Sequence, residues 1–276
     1  VARSDKSLDR VHKAIERADF RKAISAASAV PTTELDREQV SQLMDAMLAA
    51  AAGLSDGSID ELTAYDLVVR LGDRIARDDA YRPAVELRVN SALFNKGVVL
   101  AQMGRVDEAI AVYDDLVGRT GGARQLGLRE NAVRALFNKG ASLAGLHRHE
   151  EAVGVYDELV GTFSSEPGAV MSEAVGRAMV NKGIALAELD RLAEAVGVLD
   201  DVIKRWKDST DPILRERVAR ALLNKATAMI QMGERAVART VYETVEKLYG
   251  RDKTPSVREQ VAIARIRREA LEESPG

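Results

Sequence analysis

Asparagine stands at positions 95, 138, 181 and 224, each 43 residues after the one before. A carboxamide both donates and accepts hydrogen bonds, so a row of them suits the alternating N–H and C=O groups of an extended peptide. Arginine precedes three of the four by four residues: Arg134 before Asn138, Arg177 before Asn181 and Arg220 before Asn224, with Ser91 in that place before Asn95. Residues four apart share a helical face, so each guanidinium points the same way as its amide and can fork onto a carboxylate. Asn95, Arg134, Asn138, Arg177, Asn181, Arg220 and Asn224 are the candidate peptide-binding residues. A repeated asparagine could equally tie neighbouring helices together, because duplication within one chain copies both kinds of residue.

The elements that must carry these side chains repeat with them. Around the asparagines the chain reads ALFNKG, ALFNKG, AMVNKG and ALLNKA, and Tyr113, Tyr156, Leu199 and Tyr242 keep the same step, each followed by an acid at Asp114, Asp157, Asp200 and Glu243. A fixed period without insertions means one supersecondary block stacked on the next. Pro83, Pro167, Pro212 and Pro255 each open an apolar-periodic run, where proline fits the first helical turn. A second helix follows each turn, as in 105–119, 149–161 and 191–206, and its Ala109, Ala152, Ala195 or Ala238 lies four before the Tyr or Leu series. Small against large is what close helix packing needs.

These spacings resemble the tetratricopeptide repeat. Its pattern of Gly or Ala, then Gly at the turn, a small residue and an aromatic is matched by Gly97, Gly104, Ala109 and Tyr113. Gly140, Ala152 and Tyr156 depart at the turn (Leu146 or His147), and Gly183, Asp190, Ala195 and Leu199 depart at the turn and the aromatic. Ala226, Gly233, Ala238 and Tyr242 have Ala for the first Gly. Upstream, the same pattern sets Gly57 at a turn, Leu62 at the small position and Asp66 at the aromatic one, and residues 8–30 read as a short pair turning at Ala18-Asp19. The resemblance implies an all-α, right-handed superhelical solenoid of antiparallel helix pairs, about six pairs plus a C-terminal capping helix. Residues 1–81 would be degenerate repeats, 82–250 four regular ones, and 251–276 the capping helix and tail. It also implies that the Asn and Arg positions line a concave groove that binds an extended peptide or a partner helix.

Lys96, Lys139, Lys182 and Lys225 follow the asparagines by one residue. They are expected to form structural ion pairs with the acids after the Tyr series. Nothing reads as an enzyme. His147 and His149 are two apart and so not on one helical face, and neither a metal nor a cofactor is expected. Gly121-Gly122 lacks the lysine context of a phosphate loop. The absence of cysteine removes disulfides and thiolate metal sites, the longest apolar run is too short to span a membrane, and a cytoplasmic setting is expected. A net charge of −3 disfavours a general nucleic-acid binder. The expected function is a non-catalytic protein-interaction module. Its alternatives are an oligomeric scaffold using convex or terminal surfaces, with self-association as a homo-oligomer, and a nucleic-acid or anionic-ligand sensor using the arginines.

Overall fold

The computed structural model describes residues 2–75, 82–120, 123 and 125–273. Gly121-Gly122 lies outside them. The described residues form thirteen α-helices and no strand. Six pairs run in chain order: α1 (Ala2–Glu16) with α2 (Phe20–Ser28), α3 (Arg37–Leu54) with α4 (Ile59–Ile75), α5 (Arg82–Gln102) with α6 (Val106–Thr120), α7 (Leu126–Gly145) with α8 (His149–Phe163), α9 (Ala169–Glu188) with α10 (Leu192–Trp206), and α11 (Pro212–Gln231) with α12 (Arg235–Tyr249). Helix α13 (Pro255–Glu273) follows them. The chain divides into two compact units, Val1–Asn138 and Lys139–Gly276. In each unit a helix packs on its sequence neighbours, and first helices also pack on the next first helix, as α1 on α3, α3 on α5, α9 on α11 and α11 on α13.

Five pairs turn with one backbone pattern. The turn residue donates to the carbonyl three back and its successor to the carbonyl five back, as in Gly104 to Ala101 and Arg105 to Leu100. Ala18, His147, Asp190 and Gly233 repeat it, all with φ between 55° and 81°. His147 is thus the residue that replaces the turn glycine, and Asp190 does the same one pair on. Both adopt the left-handed conformation without being glycine, so hydrogen bonding and packing fix the turn where sequence does not favour it. Proline opens α11 and α13 at their first residue, whereas α9 begins two residues after Pro167, behind an N-cap Gly168.

Within a pair the two helices meet at one contact. Tyr113 and Tyr156 are buried, and a Cβ placed at Gly97 or Gly140 would lie 2.4 or 2.5 Å from the facing ring. Gly183 and Leu199 meet in the same way at 2.8 Å, while Ala226 and Tyr242 are both buried in the last pair. The small Ala109, Ala152, Ala195 and Ala238 lie under the same faces, fully buried.

One expectation is off by a residue. In α4 the ring at the aromatic position is Tyr65, buried, and not Asp66, which reaches Lys96 at 2.6 Å. The residue four before Tyr65 is Glu61 rather than Leu62. Glu61 is buried, accepts from the Tyr65 hydroxyl at 3.3 Å and from the Gly57 amide at 3.1 Å, and so meets its burial with hydrogen bonds.

Helix α13 buries Val257, Val261 and Ala264 against α11 and α12. Its Arg258 faces water, but Arg265 and Arg268 both bind Glu246 of α12, at 3.3 and 2.9 Å.

Gly140→Ala should destabilise the protein by ~1 to 3 kcal/mol, because the new methyl would lie 2.5 Å from the buried Tyr156 ring and force it to shift, less the helix propensity gained from Ala. Urea denaturation checks it, and an unchanged midpoint would refute the contact. Removing residues 255–273 should raise amide exchange in α11 and α12 first, since each helix leans mainly on its neighbours.

Candidate peptide-binding face

Each candidate asparagine sits in the middle of a first helix, half-buried, and the arginine one turn earlier is exposed. The amides do not simply face outward. Asn138 Nδ2 donates to the Tyr113 hydroxyl and Asn181 Nδ2 to the Tyr156 hydroxyl, each at 3.4 Å, and Asn95 bonds Tyr65 in the same way. The tyrosine belongs to the second helix of the preceding pair. At 3.4 Å the bond is long for an N–H donor, so it orients the amide more than it stabilises the stack. Asn224 has no such partner because Leu199 occupies the tyrosine position.

One N–H spent on a tyrosine leaves each amide a second N–H and its carbonyl oxygen. Asn181 also lines a cavity of about 380 Å³ with Ala141, Ile184, Ala185, His147 and Glu188. His147 and His149 meet there edge to face, 5.7 Å between ring centroids. Among the described residues no group of three or more His, Cys, Asp or Glu could hold a metal.

The arginines have partners that the amide–guanidinium pattern does not announce. Glu173 lies four residues before Arg177 and Glu216 four before Arg220, at 4.0 and 3.6 Å, so each first helix carries the sequence Glu, Arg, Asn along one face. Glu130, Arg134 and Asn138 repeat the spacing. That acid was visible at a fixed offset in three repeats and would have found the stripe. Packing of α9 on α11 brings Arg177 and Arg220 into one electrostatic neighbourhood and adds Arg217, which pairs with the buried Glu216 at 2.9 Å. Burial holds the Arg217 guanidinium below its ordinary pKa; Glu216 opposes this and the nearby Arg177 and Arg220 add to it. Its Nε is buried without a hydrogen-bond partner. In the first unit Asn131 reaches Ser91 at 3.5 Å, so Ser91, in the arginine place, lies against the next first helix. Asn95, Arg134 and Asn138 belong to the first unit; Arg177, Asn181, Arg220 and Asn224 belong to the second.

The lysines form ion pairs between pairs of helices. Lys96 meets Asp66 at 2.6 Å, and Lys182 and Lys225 meet Asp157 and Asp200 at 2.5 Å. In every case the acid lies on the second helix of the preceding pair.

A family model of the tetratricopeptide repeat matches residues 75–124. It covers the turn at Gly104 and the Gly97–Tyr113 contact that sets the helix pair. Over those residues the chain matches the tetratricopeptide repeat family. Among solved structures, BtubC (BKLC) from P. vanneervenii superposes with a TM-score of 0.60 at 13% identity, over 90% of this chain and 91% of that one. The apo form of RapI gives 0.58 at 14% identity, over 99% and 82%. At such identities the likeness is one of fold, a tetratricopeptide-type solenoid of helix pairs. No curated protein sequence matches. Tetratricopeptide repeats are generally scaffolds for protein–protein interaction. None of the described helices is long and apolar enough to cross a membrane.

Burial raises the pKa of the Tyr113 and Tyr156 hydroxyls above 10.0, although the asparagine bonds work against it, and burial with the Glu61 carboxylate raises Tyr65 further. The folded state therefore holds these protons where the unfolded chain has released them. Stability should be level below about pH 9 and fall above about pH 10, and Tyr156→Phe should make that fall shallower while changing neutral-pH stability by under ~1 kcal/mol. Thermal melts from pH 8 to 11 check both; a loss of several kcal/mol at pH 7 would make the Asn–Tyr tie the principal joint between pairs.

Proposed function

We propose that the protein binds an extended peptide of a partner protein along the Glu–Arg–Asn faces of α9 and α11. The observation that carries this reading is the divided use of Asn181: one N–H goes to Tyr156, and the same side chain borders a cavity with apolar walls. A tie that was purely internal would not need open space beside it. Arg177 and Arg220, exposed one turn earlier, supply donors for a carboxylate, either a side chain or a chain terminus. The cavity accepts an apolar side chain beside the backbone that the amides hold.

The charge pattern favours a peptide over a phosphate-rich ligand. Arg177 faces Glu173, and Arg220 shares Glu216 with the largely buried Arg217, so acids dilute the positive charge of the face and it offers less to a polyanion than unpaired arginines would. Peptide backbone needs no net field, only paired donors and acceptors.

Each backbone bond contributes ~0.5 to 1.5 kcal/mol, so changing Asn181 and Asn224 together to Ala should weaken binding about tenfold. The probe is the tightest member of an octapeptide library with free carboxy termini, read by fluorescence polarisation. Amidating its carboxy terminus should weaken it further if Arg177 and Arg220 hold that group. Tyr156→Phe serves as the control: it breaks the tie but keeps the amide, and should bind as well as the parent. If the double variant bound normally per folded molecule and only lost stability, the asparagines would be structural and this reading would fail.

A further inference from the structure

Helix α1 carries Lys6, Arg10 and Lys13, and Arg17 follows at its end; all four are exposed. At 100° per residue the four fall within an arc of about 60°, and at ~1.5 Å per residue they run along about 16 Å of the helix. Lys22 of α2 extends the patch. The opposite face, Leu8, Val11 and Ala14, is buried.

Register gives the stripe a meaning. The turn at Ala18 has the same backbone bonds as those at Gly104, Asp190 and Gly233. Counting back eight residues from each turn gives Arg10, Lys96, Lys182 and Lys225. In the three later helices that cation meets an aspartate on the preceding second helix. The residues four before it, Ala92, Ala178 and Ala221, and three after it, Val99, Ala185 and Ala228, are buried in the later helices. In α1 those positions are Lys6 and Lys13. The face that elsewhere packs on an acid-bearing helix is therefore converted here to cations along its whole length.

None of these five cations has an ion pair among the described residues, whereas the exposed Arg21 beside them binds Asp56 and Asp60, and Arg88, Arg105, Arg119, Arg148 and Arg191 all hold acids. Four of them, Arg10, Lys13, Arg17 and Lys22, surround one cavity of about 210 Å³. A surface meant only to stay in water mixes its signs; a single-sign stripe steers a ligand of the other sign. The acids Asp9, Glu16, Asp19 and Glu34 flank it. A duplex or a bilayer surface would overlie those acids, while a narrow ligand along the stripe would not.

We propose that this face of α1 docks an acidic helix of a partner protein, its carboxylates spaced i, i+4, i+7 and i+11 to match the four cations. The site is independent of the peptide-binding face of the later repeats. A second copy of this chain is a poor occupant, because its last second helix, α12, is covered by α13.

The test uses the full chain and two synthetic 16-residue helical peptides of equal composition. One has four glutamates in the matching stripe and the other has them spread around the helix. At low salt the striped peptide should bind at least several-fold more tightly than the dispersed one, and more tightly than single-stranded DNA of equal charge or anionic lipid vesicles. Arg10→Gln, Lys13→Gln and Arg17→Gln combined should weaken it about tenfold, as three exposed ion pairs predict, with the circular dichroism melt unchanged. Equal binding of the two peptides, or no loss in the triple variant, would leave a polar cap only and overturn the proposal. Tighter binding of DNA or vesicles would overturn it in favour of those ligands.

Discussion

The tyrosine that α6 and α8 set against a glycine is the contact on which the rest depends. Its ring fills the space that a glycine of the first helix leaves open, at Gly97–Tyr113 and Gly140–Tyr156, and its hydroxyl reaches the asparagine of the next pair. One side chain thus sets the spacing within a pair and the orientation of the following one. The ring does this by volume, which is stiff, and the hydroxyl by a long hydrogen bond, which is not. Where Leu199 replaces the tyrosine, the volume is kept and the bond is lost, so packing alone is enough to hold that pair.

Charge follows the same geometry at longer reach. Lys182 extends to Asp157 beside Tyr156, so amide tie and ion pair run in parallel between α8 and α9, and Lys225 reaches Asp200 in the same way where Leu199 leaves no tie. Such ion pairs are half-exposed and contribute little each, on the order of 0 to 1 kcal/mol. Their value is in register: a helix shifted by one residue would lose its aspartate and its tyrosine together.

The stripe of glutamate, arginine and asparagine runs along α7, α9 and α11, and part of it, Glu216 with Arg217 and Asn138 and Asn181 with their tyrosines, also serves the packing. The tie inward limits how far each of these amides can move. The acid-paired arginines of the stripe contrast with the cations of α1, which hold no ion pair among the described residues.

The 43-residue period, the helix pairs, the buried alanines and tyrosines and the capping helix were all legible in the sequence, because propensity, turn residues and apolar spacing are local and were copied with each repeat. The upstream pair was misread by one residue at Tyr65, since no period links it to the regular repeats and its small position holds Glu61. The turns at His147 and Asp190 needed the structure too, for there the backbone bonds impose a conformation that the residues do not favour. What the asparagines touch was beyond the sequence, because the tyrosine lies 25 residues earlier, across a helix-to-helix packing that periodicity cannot orient. The same holds for Glu216 and Arg217: their burial arises only when α9 and α11 come together, and desolvation is a property of the packed neighbourhood rather than of the residue.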